Sequence, residues 1–218
     1  MRTLAVLPVK SFGVAKQRLG EAVGADDRRA LARAMAGDVL EALGRVEGLN
    51  GVILVSAAQL EVETSAGDVQ VVHDPEEVGQ SAAALRGVRA AVERGAERVL
   101  LVPGDCPALE PSEVTELLAE PDAGVVIVPD RHGAGTNALL IAPPEAVEPA
   151  FGPGSFARHA ALAHAAGARV RIGRLPSLEL DVDTPGDLAA LRAALAARAG
   201  GAPRTRLLLD GLASTHAA

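Results

Sequence analysis

The sequence is poor in the residues that mark several common classes of protein. Aromatic residues make up 1% of the 218 residues, with neither Trp nor Tyr, so there are almost no side chains on which nucleic-acid bases could stack. The single cysteine, Cys106, excludes an intramolecular disulfide framework. No apolar run approaches the roughly 20 residues of a membrane span. The first run, Leu4 to Val9, ends at Lys10 and is too short for a signal peptide, so we expect a cytoplasmic protein.

Positive charge is also scarce, and it is dispersed along the chain. The formal net charge is −7, and the lysines and arginines form no block, so a nucleic-acid partner is not expected. If a nucleotide binds, hydrogen bonds rather than aromatic stacking must recognise its base. Hydrophobic residues make up 49% of the chain against 22% charged residues, which is typical of a globular domain with a sizeable core.

Apolar runs alternate with helical patterns, which predicts an α/β fold. Strands are predicted over residues 3–9, 51–57, 69–74, 98–104, 124–130, 136–142 and 168–173. Helices are predicted from Asp26 onward and over residues 79–95, 112–119, 155–167 and 184–198. Several strands are apolar throughout, which is typical of a mostly parallel sheet with helices on both faces. We expect one domain over 1–199 and a flexible C-terminal tail over 200–218, whose leucines could dock on the domain or on a partner.

Polar residues cluster where predicted strands end. The clusters are Lys10 to Arg18, Gly79 to Ser81, Asp105, Asp130 to Asn137, and Asp181 to Thr184. In open parallel sheets, ligands bind beyond the carboxyl ends of the strands. This convergence is the main functional signal in the sequence.

Two of the clusters offer carboxylates for a metal ion. Asp105 follows an apolar strand in PGDCP, where the alternative is an ordinary turn residue. Asp181 and Asp183 flank Val182, so in an extended segment both carboxylates point to one side. Asp183 could instead serve the N-terminus of the helix that follows. Because Mg²⁺ prefers one or two carboxylates plus phosphate oxygens, Asp105 and Asp183 are candidates for a shared cation.

Two loops offer groups that bind anions. Lys10, Lys16 and Arg18 can together neutralise a triphosphate, although they could also be surface residues of a solvated loop. Ser155 opens a helix after a Gly/Pro loop, either as part of an anion site or as an ordinary N-cap.

The remaining candidates for chemistry are weak. Cys106 has no histidine nearby in the sequence and is interpreted as a small buried residue. His132, His159 and His164 lack metal-ligand spacing and are interpreted as surface or packing residues.

Taken together, several of these segments resemble one enzyme family. They are VKSFGVAKQRL, PGDCPAL, PDRHGAGTNALL, FGPGSF and LDVDTPGDL. From about residue 3 to residue 195, the chain resembles the 2-phospho-L-lactate and phosphoenolpyruvate guanylyltransferases of coenzyme F420 biosynthesis. The resemblance implies a single-domain Rossmann-like fold of the GT-A, nucleotide-diphospho-sugar transferase type. It also implies transfer of GMP from GTP to a small phosphorylated carboxylic acid, with release of pyrophosphate.

The resemblance also implies roles for individual residues. Mg²⁺ would be held by Asp105 and Asp183. The GTP phosphates would be contacted by Lys10, Lys16 and Arg18, of which Lys16 and Arg18 would act in catalysis with the two aspartates. The acceptor would be contacted by Thr136, Gly152 and Ser155. Gln80 and Ser81 would contact the nucleotide, but they stand where the family usually has Leu-Asn, so the preference for guanine stays open.

Other functions also stay open on the sequence alone. The rivals are a molybdenum-cofactor or sugar-phosphate nucleotidyltransferase, a GT-A glycosyltransferase, and a GTP-binding sensor or scaffold subunit. The acceptor is not decided between phosphoenolpyruvate and 2-phospho-L-lactate, although analogy favours phosphoenolpyruvate. The oligomeric state is open as well, with a homodimer as one expectation.

Overall fold

The computed structural model describes residues 1–9, 16–20, 23–57, 66–120 and 124–215. The strands are β1 (Thr3–Val9), β2 (Val52–Ser56), β3 (Val69–His73), β4 (Arg98–Leu101), β5 (Val125–Pro129), β6 (Thr136–Ile141) and β7 (Val170–Ile172). The helices are α1 (Ala25–Leu43), α2 (Gln80–Glu93), α3 (Pro111–Ala119), α4 (Ser155–Ala165), α5 (Pro185–Ala196) and α6 (Pro203–Thr215), with a 3₁₀ turn at Gln17–Leu19. No helix in these described ranges is long and apolar enough to cross a membrane.

The described strands form one sheet in the order β3-β2-β1-β4-β6-β5-β7. All neighbouring pairs are parallel except those of β6, which runs antiparallel to both β4 and β5. Loop 130–135 joins β5 to β6 and is too short for a crossover, so these two strands must be antiparallel. The predicted mostly parallel α/β sheet is confirmed, with β6 as its one reversed strand.

The sheet is buried on both faces because its central strands are apolar at every position. In β1, Leu4 and Val6 pack with residues of α2 and α4, whereas Ala5 and Leu7 pack with residues of α1 and α3. This alternation follows from the two-residue period of a strand. Gly87 lets α2 lie directly on the sheet, since a Cβ there would stand 2.3 Å from Val6 Cγ1. The helices therefore cover both faces, as predicted.

The segment predicted as a flexible C-terminal tail contains α6, which packs on α1. The buried Asp38 carboxylate of α1 accepts hydrogen bonds from the backbone N–H groups of Arg204 (3.2 Å) and Thr205 (2.7 Å). This acid thus satisfies donors in the first turn of α6, which lack partners inside the helix. Leu209 is buried, whereas Leu207 is exposed. The segment contains a helix, and the domain boundary at residue 199 and the flexibility of the segment after it stay predictions.

Candidate active site

A cavity of about 470 Å³ lies at the edge of the sheet where β1 to β4 have their carboxyl ends. It is lined by residues that follow these four strands and by residues of α1 and α2. Lys16, Asp105 and Asp183 line one part of it, and Asp74, Glu77 and Gln80 also contribute to the lining. The cavity therefore occupies the position that parallel α/β sheets use for ligands.

Two carboxylates converge on one ammonium group in this cavity. Lys16 Nζ lies 2.5 Å from Asp105 Oδ2 and 2.9 Å from Asp183 Oδ1. The Lys16 side chain is buried, that of Asp105 is partly buried, and that of Asp183 is about half exposed. These three residues are far apart in sequence, and the fold brings their charged ends together at a single point.

The backbone explains why the two aspartates meet. The Val182 N–H donates to the Asp105 carbonyl oxygen at 3.1 Å, which ties the segment before α5 to the loop after β4. The Asp187 carboxylate accepts from the backbone N–H groups of Asp183 (3.1 Å) and Thr184 (2.7 Å). Thr184 and Asp187 form a capping box at the start of α5. The Asp183 side chain is therefore not the helix cap, and it faces Lys16.

The surrounding charges keep Lys16 positively charged. Burial alone would lower the pKa of Lys16, but the charges of Asp105 and Asp183 and the hydrogen bonds to them outweigh it and raise the pKa above its usual value. Lys16 also has a left-handed backbone, with φ of 56°. A residue other than glycine is held in this conformation only when its surroundings favour it, and such residues cluster at functional sites.

The carboxylate pair fits a divalent metal ion. Both groups already face a single cation, and carboxylate oxygens are ligands that Mg²⁺ prefers. Within the described part of the chain, no group of three His, Cys, Asp or Glu side chains could hold a metal ion. Asp105 and Asp183 would therefore hold the ion together with oxygens from the substrates.

Asp181 lies beside this pair but has a different partner. Its Oδ1 accepts a hydrogen bond from Asn137 Nδ2 at 3.1 Å. Burial is the main cause of its raised pKa, which the Asn137 hydrogen bond partly offsets and the charge of Asp105 increases further. Asp181 and Asp183, although two residues apart, thus contact different groups.

One of the predicted acceptor residues, Thr136, contacts a buried histidine. The Ala150 N–H donates to His159 Nε2 at 2.8 Å, so His159 Nδ1 carries the ring proton and donates to Thr136 Oγ1 at 3.0 Å. The Thr136 hydroxyl can then donate its own hydrogen elsewhere. Ser155 is buried, and its backbone N–H donates to the Gly152 carbonyl oxygen at 3.0 Å. The N-cap of α4 is Gly154, so Ser155 is not the capping residue considered from the sequence.

The loop before Thr136 is held by one carboxylate. Asp130 accepts hydrogen bonds from the backbone N–H groups of His132 (3.0 Å), Ala134 (2.9 Å) and Gly135 (2.8 Å). A Cβ at Gly135 would stand 2.6 Å from Asp130 Oδ2, so a larger residue there would have to displace this carboxylate. The loop is thereby fixed at the start of β6, which places Thr136 and Asn137.

Comparison with known proteins identifies the family. The model of the family described as "Guanylyl transferase CofC like" matches residues 3–193. A phosphoenolpyruvate guanylyltransferase from Conexibacter woesei is 49% identical over 220 residues, which cover 99% of each chain. One from Sphaerobacter thermophilus is 40% identical over 86% of this chain and 91% of its own. The chain belongs to the CofC-like guanylyl transferase family.

Solved structures agree with the fold of this guanylyl transferase. A structure from Desulfovibrio desulfuricans G20, described as a nucleotide-diphospho-sugar transferase, has a TM-score of 0.72 at 19% identity and covers 97% of each chain. A nucleotidyl transferase from Methanothermobacter thermautotroptrophicus has a TM-score of 0.60 at 22% identity, covering 90% of this chain and 99% of its own. At these identities the likeness concerns the fold alone, and it confirms the predicted nucleotide-diphospho-sugar transferase type.

Family membership confirms that the protein is a nucleotidyltransferase, with GMP transfer from GTP as its expected reaction. Its substrates are therefore a nucleoside triphosphate and a small phosphorylated compound. Nucleotidyltransferases generally use divalent metal ions.

The other predicted site residues of the guanylyl transferase do not all line the cavity, and Thr136, Gly152 and Ser155 are not among its described lining residues. Gln80 lines it, and Ser81 Oγ donates to the Phe151 carbonyl oxygen at 3.5 Å. Arg18 is exposed on the 3₁₀ turn and is not among the lining residues. Lys10 lies outside the described residues. The roles of all the predicted site residues stay predictions.

Some residues of interest were not singled out from the sequence. The direct contact of Lys16 with both aspartates depends on the fold and has no local signal. The hydrogen bonds of His159 likewise join residues of different elements. Asp74 could have been proposed as a site residue from the sequence, because it follows a predicted strand, as Asp105 does.

Burial of His159 predicts a specific dependence of stability on pH. Burial, with a smaller effect from Arg158, lowers its pKa from 6.5 to about 4. On acidification the unfolded chain therefore binds a proton first, and the free energy of unfolding falls between about pH 6.5 and pH 4. The expected loss is up to about 3 kcal/mol.

Urea denaturation over this pH range, compared among the wild type, His159→Gln and His164→Gln, tests the effect. His159→Gln should lack this component of the pH dependence, whereas His164→Gln should keep it because His164 is exposed. An equal pH dependence in the wild type and His159→Gln would show that His159 is not the group responsible.

Proposed function

We propose that this guanylyl transferase transfers GMP from GTP to phosphoenolpyruvate and releases pyrophosphate. The observation that carries the proposal is the convergence of Asp105 and Asp183 on one cation in the cavity at the carboxyl edge of the sheet. The proposed acceptor is the one in the printed names of the two relatives described above.

The reaction needs charge neutralisation more than proton transfer. An oxygen of the acceptor phosphate attacks the α-phosphorus of GTP, and the bond from this phosphorus to the bridging β-phosphate oxygen breaks. The attacking oxygen is already anionic, so no side chain has to remove a proton from it. The residues of the chain then serve to position the reacting groups and to offset their negative charge.

Lys16 is proposed to offset phosphate charge at the reacting centre. It is a buried cation in the same cavity as Asp105 and Asp183, and its raised pKa keeps it protonated. Lys10 and Arg18 are proposed to contact the triphosphate from the same segment of the chain.

Mg²⁺ is the proposed metal, with Asp105 and Asp183 as its protein ligands. When bound, it supplies positive charge to the phosphate oxygens. Because the two carboxylates contact Lys16 in the structure, binding of the ion requires at least part of this contact to be exchanged for metal coordination.

Thr136, Gly152 and Ser155 are proposed to contact the acceptor. The acceptor carries a carboxylate and a phosphate, and the start of α4 with its Gly-rich loop suits one such anion. The hydroxyl of Thr136 keeps a hydrogen to donate because it accepts from His159. The hydrogen bond from Asn137 to Asp181 connects the start of β6 to the segment that carries Asp183.

Ser155→Ala should raise KM for the acceptor by about tenfold or more, because one hydrogen bond to a charged group contributes about 1.5–3 kcal/mol. KM for GTP should change far less. Steady-state kinetics of the variant, with its melting temperature, provide the measurement. A loss of stability with an unchanged acceptor KM would remove Ser155 from the acceptor site.

Release of pyrophosphate from GTP, measured with a panel of acceptors, tests the proposed reaction. The panel should contain phosphoenolpyruvate, 2-phospho-L-lactate, a sugar 1-phosphate and molybdopterin. Phosphoenolpyruvate should give the highest kcat/KM. Faster turnover with any other member would replace the proposed acceptor.

A cytoplasmic location and a homodimeric assembly also stay proposals.

A further inference from the structure

The cavity extends away from Lys16 to a second acid at the end of β3. Asp74 directly follows β3, and its backbone N–H donates to the carbonyl oxygen of Ser56 at the end of β2 (2.9 Å). Its side chain is buried, yet Asp74 lines the cavity together with Glu77 and Gln80. The reaction described above gives this carboxylate no role.

The order of the strands sets the distance between the two acidic ends. Asp74 follows β3 and Asp105 follows β4, with β2 and β1 between them. Three gaps of about 4.8 Å between neighbouring strands place the two strand ends about 14 Å apart. Because Asp74 and Asp105 line the same cavity, a nucleoside triphosphate whose phosphates lie at Asp105 can reach Asp74 with its base.

Much of the cavity wall is aliphatic. Met35 and Ala36 of α1 and Ala83 of α2 line the cavity, and the described lining includes no aromatic side chain. A purine can lie between such side chains, but they do not distinguish one base from another. Discrimination must therefore come from hydrogen bonds to the edge of the base.

Asp74 is held in place by an arginine. Arg86 Nε lies 3.2 Å from Asp74 Oδ1, and another guanidinium nitrogen of Arg86 lies 3.8 Å from Glu76 Oε2. A buried carboxylate that is fixed from one side can present its remaining acceptor capacity in a defined direction. An ionised carboxylate only accepts hydrogen bonds.

This chemistry matches guanine among the common bases. Guanine carries two adjacent donors, N1–H and the 2-amino group, next to the acceptor O6. Adenine has a bare N1 and no 2-amino group, so a carboxylate facing its N1 meets a lone pair. The carboxamide of Gln80 can donate to O6.

We propose that Asp74 selects guanine by accepting hydrogen bonds from N1–H and the 2-amino group, with Gln80 donating to O6. This inference rests on GTP binding in the cavity and not on the identity of the acceptor. It explains how the chain can recognise guanine with Gln80-Ser81 in place of Leu-Asn.

The test is calorimetric binding of GTP, ITP and XTP in the absence of any acceptor. Wild-type protein should bind ITP, which lacks the 2-amino group, at least about tenfold more weakly than GTP. Equal affinity for ITP and GTP would overturn the proposal without any variant. Because no acceptor is present, this result does not depend on whether phosphoenolpyruvate is the second substrate.

Asp74→Asn should shift the preference of the protein from GTP toward XTP. The carboxamide can accept from N1–H and donate to O2 of xanthine, and it can still accept from Arg86. The variant should bind GTP at least about tenfold more weakly and XTP at least about tenfold more tightly than the wild type does. Glu76→Gln, which changes the exposed second partner of Arg86, should leave all affinities unchanged.

Two results with the variants would overturn the proposal. One is an Asp74→Asn variant that folds and keeps the wild-type order of affinities for GTP, ITP and XTP. The other is a change in base preference that follows Glu77→Gln and not Asp74→Asn.

Discussion

Asp105→Asn and Asp183→Asn should each lower kcat for GMP transfer by about 10²–10³ or more, the loss expected when one charged group at a reacting centre is removed. Each substitution removes one of the two carboxylates that contact Lys16 in the structure. If both serve one cation, loss of either disables the same centre. The double variant should then be little slower than the slower single variant, so the effects should be far from additive.

Steady-state kinetics of the three variants under saturating GTP and acceptor provide the measurement. Glu179→Gln is a matched control, since it neutralises a nearby acid that is not among the residues lining the cavity. It should retain nearly wild-type kcat. Near-wild-type turnover by either aspartate variant, with circular dichroism showing an intact fold, would remove that residue from the reacting centre.

Lys16→Met should lower kcat/KM for GTP by about 10²–10³, because a buried cation that offsets phosphate charge is lost. The same change leaves Asp105 and Asp183 close together without the ammonium between them. Their mutual repulsion should lower the melting temperature in the absence of metal. Added Mg²⁺ should then raise the melting temperature of the variant more than that of the wild type, where the ion must compete with Lys16.

Arg18→Met is the matched control for the thermal measurement. It removes an exposed cation two residues away, whereas in the described part of the chain the two aspartates form their ion pairs with Lys16. Its response to Mg²⁺ without nucleotide should equal that of the wild type. An equal response to Mg²⁺ in Lys16→Met and the wild type would show that Lys16 and the metal do not occupy the same place.

The fold could be predicted from the sequence because its signals are local. The short, continuous apolar run in β1 is typical of a buried strand. The spacing of Leu31, Met35 and Val39 in α1 matches instead the 3.6-residue period of a helix. The reversal of β6 was not predicted, although the short loop 130–135 demands it. The leucines of residues 200–218 suggested that the segment could dock on the domain, but residues 200–218 alone do not show that α6 packs on α1, where the Asp38 carboxylate accepts from its first turn.

The candidate site was predictable only in part. Asp105 and Asp183 could be proposed as a pair because Asp105 follows a strand and Asp183 precedes a helix. Polar side chains at both kinds of position often contact ligands. The local alternatives were a turn residue and a helix cap, and these can be compared only in three dimensions. Asp187 and Thr184 cap α5, which leaves the Asp183 side chain to contact Lys16.

The hydrogen bonds of His159 illustrate what sequence patterns do not show. Its two ring nitrogens bind Ala150 and Thr136, which precede it by 9 and 23 residues in the sequence and lie outside its own helix. Neither spacing corresponds to a known motif. Only packing decides that this histidine is buried, whereas His164, five residues further along α4, is exposed.

Product formation in a single turnover shows whether GMP is transferred at the centre formed by Asp105 and Asp183. Enzyme in excess is mixed with phosphoenolpyruvate and GTP labelled at the α-phosphorus. We expect the label to move into a conjugate of GMP and phosphoenolpyruvate with one pyrophosphate released, a chelator to stop this transfer and Mg²⁺ to restore it. The Asp105→Asn, Asp183→Asn double variant should form no detectable conjugate on the wild-type timescale. Conjugate formation at the wild-type rate by the double variant would place the reaction elsewhere, and release of the label without any conjugate would rule out GMP transfer to phosphoenolpyruvate.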